Sequence, residues 1–273
     1  MANDLPATPD QQELVARFAN DYRLGEADVV REIERRVCGC DYGGTSWTTR
    51  DEARRLGELL GLAPGVRLLE IGAGSGWPGL YLATTTGCEI VQTDLPLDGL
   101  KIAAARAAAD GLAETSRVAV ADGAALPFAA GCFDAIVHSD VLCCLAPKLA
   151  VLKECRRALR RGAKMVFTVI FISPGLSPGD RARAAACGPP VIDTALGYPE
   201  MLHAAGWEIT TRAELTAEYR ASLSRLIELE QSHEAELRDL RGPAGYLEKL
   251  GRRQRALAAV EQGLIRREMF AVV

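Results

Sequence analysis

Glu70, Gly72, Gly74 and Gly76 stand at alternate positions directly after the apolar pair Leu68-Leu69. An acid followed by alternating glycines is a grammar for holding a nucleotide. Glycine has no Cβ, so a turn built from it lets a ligand come close to the backbone. The helix expected next offers N–H groups that lack intrahelical partners. Asp94 lies 20 residues past Gly74, the spacing at which a carboxylate can accept both hydroxyls of a ribose. These features do not choose the nucleotide. Gly74-Ser75-Gly76-Trp77-Pro78-Gly79 also satisfies G-x-G-x-x-G, the dinucleotide pattern of NAD and FAD enzymes.

Proton chemistry beside such a cradle needs a titratable side chain. Val137-His138-Ser139-Asp140 offers two, and a histidine is of the type that titrates near neutrality. The chain holds 8 cysteines and 3 histidines, yet no C-x-x-C and no Cys/His spacing suited to zinc. No metal site is expected. Cys38-Gly39-Cys40 and Cys143-Cys144 read as free thiols of a reducing compartment.

The elements that must position these residues alternate regularly. Strands are expected near 66–71, 88–93, 117–121, 133–138 and 164–171, with helices near 77–86, 97–111 and 147–161. Such alternation predicts a parallel sheet covered on both faces, with ligands bound outside the carboxyl ends of its strands. Before it, residues 1–62 read as helices that close the site. Thr8-Pro9 marks the first helix, and Leu14, Phe18 and Tyr22 recur along it at helical spacing. Thr49-Arg50-Asp51-Glu52 is a capping box opening another. Residues 63–273 form the main domain, in which 172–205 and 216–263 supply a helical cap and the walls of a second ligand's pocket. A helix stripe runs from Tyr219 to Leu240, Gly242-Pro243 breaks it, and a final strand covers Leu264 to Val273.

The choice of nucleotide comes from residues further along. Asp122-Gly123-Ala-Ala-Leu126-Pro127-Phe128, then Phe133-Asp134-Ala135-Ile136-Val137, then Arg157-Ala-Leu159-Arg-Arg-Gly162-Ala163 follow the glycine motif in order. Together with Glu70-x-Gly72-x-Gly74-x-Gly76 they resemble the small-molecule branch of the class I S-adenosylmethionine (SAM) methyltransferases. The resemblance covers about Leu59 to Phe171. Ala163 stands where the family has a second glycine. The resemblance implies an α/β, three-layer Rossmann-like sheet of seven strands, the last antiparallel, with SAM as cofactor. It implies that Glu70 sits beneath the cofactor and fixes the glycine loop or the methionine amino group, that Gly72, Gly74 and Gly76 contact the cofactor, that Asp94 and Leu95 hold the ribose, and that Asp122 and Gly123 meet the adenine. In a dinucleotide enzyme the glycine match would begin two residues late and leave Glu70 without a role.

In the resembled family the segment Val137 to Cys144 faces the transferred methyl. His138 and Asp140 are therefore the candidate bases, and His138 also a candidate cofactor contact. Many small-molecule relatives carry histidines where Cys143 and Cys144 stand, so sugar-hydroxyl methylation by that route is not expected. The D/N-P-P-F/Y of nucleic-acid amino-methyltransferases is missing. Tyr42 and Trp47 are candidates to close over the methionine end of SAM or over the acceptor, because an aromatic face attracts a cation. The implied activity is methyl transfer to a small-molecule acceptor on oxygen, nitrogen or carbon. The alternatives are a SAM-binding regulatory protein without turnover, and an arsenite-type methyltransferase that uses cysteines. Phe171, Ile172, Leu176, Val191, Ile192 and Leu196 hint at a partly apolar acceptor.

Composition agrees with a globular enzyme: 48% apolar residues, 25% charged, net charge -4. No basic block favours nucleic acid. No run is long enough to span a membrane, and Met1-Ala-Asn-Asp-Leu-Pro6 is no signal peptide, so the cytoplasm is the expected location.

Overall fold

The central strands are apolar on both faces, as strands buried between two helical layers must be. Leu69, Ile71, Ile136 and Phe167 belong to one hydrophobic cluster, while Leu68, Ala135, Val137 and Val166 belong to a second. The alternation of side chains along a strand puts these clusters on opposite sides of the sheet. The computed structural model describes residues 9–42 and 46–273. The expected cap at Thr8 and the loop glycines Gly43 and Gly44 lie outside the described residues.

Helices α1 (Pro9–Gly25), α2 (Asp28–Cys38) and α3 (Arg50–Leu60) come first. The capping box at α3 forms, with Thr49 Oγ1 accepting from the Glu52 N–H and Glu52 Oε2 accepting from the Thr49 N–H. Then β1 (Arg67–Ile71), α4 (Gly79–Thr86), β2 (Glu89–Asp94), α5 (Leu97–Ala109) and β3 (Ser116–Val120) build one half of the sheet. The other half is β4 (Phe133–Ser139), α6 (Lys148–Ala158), β5 (Leu159–Ile172), α7 (Pro178–Cys187), α8 (Tyr198–Ala204), β6 (Ile209–Glu214), α9 (Thr216–Ser232), α10 (Glu234–Glu261) and β7 (Ile265–Val272).

Among the described residues these strands form one seven-stranded sheet in the order β3-β2-β1-β4-β5-β7-β6. β7 runs antiparallel to both β5 and β6. The order reverses between β1 and β4, which opens a crevice at their carboxyl ends. α1 packs on α5, α2 on α9, and α10 on α7, so the N-terminal helices and the late helices meet across that crevice.

Three details depart from the expected elements. The apolar stripe from Tyr219 to Leu240 is two helices, because His233 (φ -110, ψ 27) leaves the helical region and ends α9. The break at Gly242 is a kink within α10 (φ 72, ψ 155), which resumes at Pro243. β5 begins at Leu159, where it pairs with Phe133 beside a register shift. Among the described residues no helix is long and apolar enough to cross a membrane.

Candidate functional site

At the end of β1 the chain turns through Gly72 (φ 68) and Gly74 (φ 54). A Cβ at Gly72 would lie 2.4 Å from Val141 Cγ2, and one at Gly74 would lie 2.9 Å from the Tyr22 ring. Both the turn and the close approach therefore require glycine. The Gly74 N–H donates to Asp94 Oδ2 at 2.8 Å, and the Leu95 N–H donates to Asp94 Oδ1 at 2.8 Å. Gly76 closes the turn, its N–H on the Ala73 carbonyl at 2.9 Å.

Glu70 lies beneath this turn and is fully buried. Its Oε1 accepts from the Gly79 N–H and its Oε2 from Gln92 Nε2, each at 2.9 Å. A Cβ at Gly79 would come within 2.0 Å of Glu70 Oε2, so Gly79 is the space this carboxyl fills. Glu70 thus secures the first turn of α4 from below and does not line the cavity above. Burial pushes its pKa up to about 8, against the hydrogen bonds from Gln92 and Gly79. A carboxyl whose folded pKa is raised stabilises the fold fully below its unfolded pKa. That contribution is lost as pH rises through the folded value. Wild-type stability is expected to fall by roughly 2–4 kcal/mol between pH 5 and pH 8. Urea denaturation of Glu70→Gln should lack this slope, and an unchanged slope would reject the assignment.

Asp94 is held by more than its own loop. The Tyr22 hydroxyl of α1 donates to Asp94 Oδ2 at 3.2 Å. Burial raises the Asp94 pKa, opposed by the N–H groups of Gly74 and Leu95 and by Tyr22. Tyr22 lies in the apolar stripe of the first helix, so its hydroxyl reads as the polar tip of a packing residue. Asp122 also lines the cavity, with Oδ1 accepting from the Ala124 N–H at 2.8 Å. Gly123 turns inward, where a Cβ would meet Ile71 and Val151.

The two loop aromatics separate. Trp47 lines the cavity and packs edge-on against Tyr219, with centroids 5.0 Å apart. Tyr42 does not line it: its hydroxyl donates to Asp110 Oδ2 at 2.6 Å and its ring stacks on Trp77. What Tyr42 brings to the glycine turn is its carbonyl, which accepts from Ser75 Oγ and the Arg106 guanidinium.

The β4 terminus holds neither candidate base free. His138 is fully buried and its ring stacks on Phe167 at 4.6 Å. Burial pulls its pKa down to about 3, so the imidazole is neutral through the physiological range, contrary to the expected titration near neutrality. It does not line the cavity. The period of the strand puts it on the face of Ile136, inside the sheet's packing. Asp140 does line the cavity, but its carboxylate is committed. Arg267 of β7 donates through Nε to both Asp140 oxygens at 3.0 Å. The same guanidinium donates through Nη1 to both Glu52 oxygens at 2.9 and 3.0 Å, and through Nη2 to Thr48 and Thr168. Arg267 is fully buried. Asp140 reaches it from a left-handed backbone (φ 55), a conformation costly for a residue with a side chain.

The cavity has a volume of about 840 Å³. One wall carries the glycine turn, Leu95 and Asp122, and it continues past Asp140 to Cys143, Cys144 and Ile170. α1 and α9 roof it with Leu14, Phe18, Tyr22, Tyr219 and Leu223. Of the apolar residues expected to meet the acceptor, only Val191 lines it. The others lie in the core, as Ile192 does, or at the surface, as Leu196 does. Cys143 Sγ is 3.0 Å from the Asp140 carbonyl. The hydrogen bond with Cys144 and burial raise its pKa, so the thiol stays protonated. Among the described residues no three His, Cys, Asp or Glu side chains come together to hold a metal.

Residues 69–167 match the family model described as "Methyltransferase domain". Methyltransferase GfsG of Streptomyces halstedii is 26% identical over 172 residues, 61% of each chain. The chain thus matches less than two thirds of that relative's length. The [4+2]-cyclase SpnF superposes with TM-score 0.73 at 21% identity, covering 98% of this chain and 97% of the other. Geranyl diphosphate C-methyltransferase of Streptomyces coelicolor A3(2) superposes with TM-score 0.72 at 17% identity, covering 98% of both chains.

Proposed function

We propose that this chain, a member of the class I SAM-dependent methyltransferases, transfers a methyl group to a small organic acceptor. One observation carries the reading. The glycine turn, Leu95 and Asp122 meet at one end of a cavity roofed by apolar side chains of α1 and α9, and Asp94 stands behind that end, holding the Gly74 and Leu95 N–H groups. The residues present would fit SAM: Asp122, on the cavity wall, is the acid proposed for the adenine amino group, and Asp94, behind the Gly74 and Leu95 N–H groups, the acid proposed for the ribose. SAM supplies a methyl already activated on a sulfonium.

The protein's share is therefore placement and exclusion of water. Trp47, Tyr219 and the helices above roof the cavity, and holding an acceptor in line is worth roughly 7–11 kcal/mol. Asp140 keeps the β4 terminus rigid through Arg267 and moves no proton in this reading. His138 stays neutral in the packing. An acceptor that needs little deprotonation, such as an amine or an activated carbon, suits this site best.

The commitment of Asp140 and His138 favours a second reading, a SAM-binding protein without turnover. Calorimetry with SAM, S-adenosylhomocysteine and NAD, followed by S-adenosylhomocysteine release over a metabolite panel, separates the two. Binding of SAM with release above the background rate is expected. Tight binding without release from any metabolite supports the second reading, and binding of NAD alone overturns both.

A further inference from the structure

The late helix α10 turns a charged face into the cavity. Lys249, Arg252, Arg253 and Ala256 line it at the spacing of one helical face, and Arg255 joins them. Some of this charge is spent within the protein. Lys249 Nζ bonds Asp21 Oδ1 at 2.7 Å. Arg253 pairs with Glu230, which also accepts from Arg241 at 2.7 Å. Arg252 and Arg255 are different: among the described residues neither has an acidic partner. Arg252 is half-buried and Arg255 exposed, so they stand at the rim. The acids that line this side are Asp21, held by Lys249, and Glu34 of α2. The cations therefore remain in excess there. Beyond them the roof is apolar, with Leu14, Val15, Phe18 and Leu223.

We propose that the acceptor is an amphiphile with an oxyanion, a carboxylate or a phosphate, and that Arg252 and Arg255 receive that group. The proposal rests on the methyltransferase reading for what happens to the acceptor, but not for the binding itself. A guanidinium presents paired donors that match either oxyanion, and such charge-assisted bonds are about twice as strong as neutral ones. The geometry assigns the apolar body to the chamber under α1 and α9, with the anion left at the rim. The methyl-accepting atom then lies on the body, away from the charged end.

The test uses octyl phosphate, octanoate and 1-octanol as probes, titrated by calorimetry into the full chain with and without saturating S-adenosylhomocysteine. At least one anionic probe is expected to bind about 10-fold tighter than octanol. The two anions separate a phosphate from a carboxylate preference. Arg252→Ala with Arg255→Ala should abolish the preference while S-adenosylhomocysteine affinity stays within about 2-fold, which also reports an intact fold. Replacement of both by lysine should keep part of the preference, because charge remains while the fork is lost. Equal binding of octanol, no anionic binding in the millimolar range, or a preference that survives the double alanine variant would overturn the proposal. So would a loss of S-adenosylhomocysteine affinity, which would give the arginines to the cofactor's own carboxylate. Failure of the wild type to bind S-adenosylhomocysteine, with the anion preference intact, would strike the methyltransferase reading alone.

Discussion

Asp94→Ala is expected to weaken S-adenosylhomocysteine binding by about 100-fold, close to 3 kcal/mol. The carboxylate fixes the Gly74 and Leu95 N–H groups and meets the Tyr22 hydroxyl from the opposite side of the crevice. Its loss would remove the acid proposed for the ribose and leave two backbone donors unpaired, and each such donor costs about 1–3 kcal/mol. Asp140→Ala is the comparison. Asp140 lines the same cavity, but both its oxygens face Arg267. Affinity for S-adenosylhomocysteine should fall by less than about 5-fold there. Calorimetry at a temperature where both variants are folded decides the matter, and equal losses would count against Asp94 as the ribose acid.

The second large effect is on stability. Arg267→Met should lower unfolding free energy by about 3–5 kcal/mol, because Glu52 and Asp140 would stay buried without a countercharge. The corresponding drop in Tm is about 5–9 °C for a chain of this size. Burial raises the Glu52 pKa even with Arg267 in place, so removal of the arginine should drive protonation of the acids. Adding Glu52→Gln and Asp140→Asn to Arg267→Met should recover part of the loss, since removing all the charges is less costly than stranding some. A Tm for Arg267→Met equal to that of the wild type would show that the network does not carry the fold.

The cradle was legible in the sequence because its parts are local. Glycines at alternate positions and acids at strand ends keep their meaning wherever the sheet packs. The βα alternation was legible because periodicity survives without knowledge of contacts, whereas the antiparallel last strand came from the family resemblance alone. The Arg267 network was not legible. An arginine at an alternating strand position reads as a solvent-facing residue. Glu52 reads as a helix cap, which it also is. Only the register of β7 against β5 brings Arg267 to Asp140. Tyr22 was hidden by its place in a helical stripe, and the cations of α10 by the habit of charged helix faces to lie in water. His138 misled in the other direction. Its residue type suggests proton transfer, while strand period turns it into the packing.

The sheet order has a consequence for how the chain assembles. β5 and β6 are successive in the chain, yet β7 lies between them. While a ribosome is still making the segment beyond β6, β5 carries an open edge and β6 has nothing to pair with. Arg267 arrives with that same inserted strand, so the acids that await it stay hydrated until then. Completion of the sheet and neutralisation of its buried charge are one late event. Until it happens, the exposed strand edges are the part of the nascent chain most in need of a chaperone's cover.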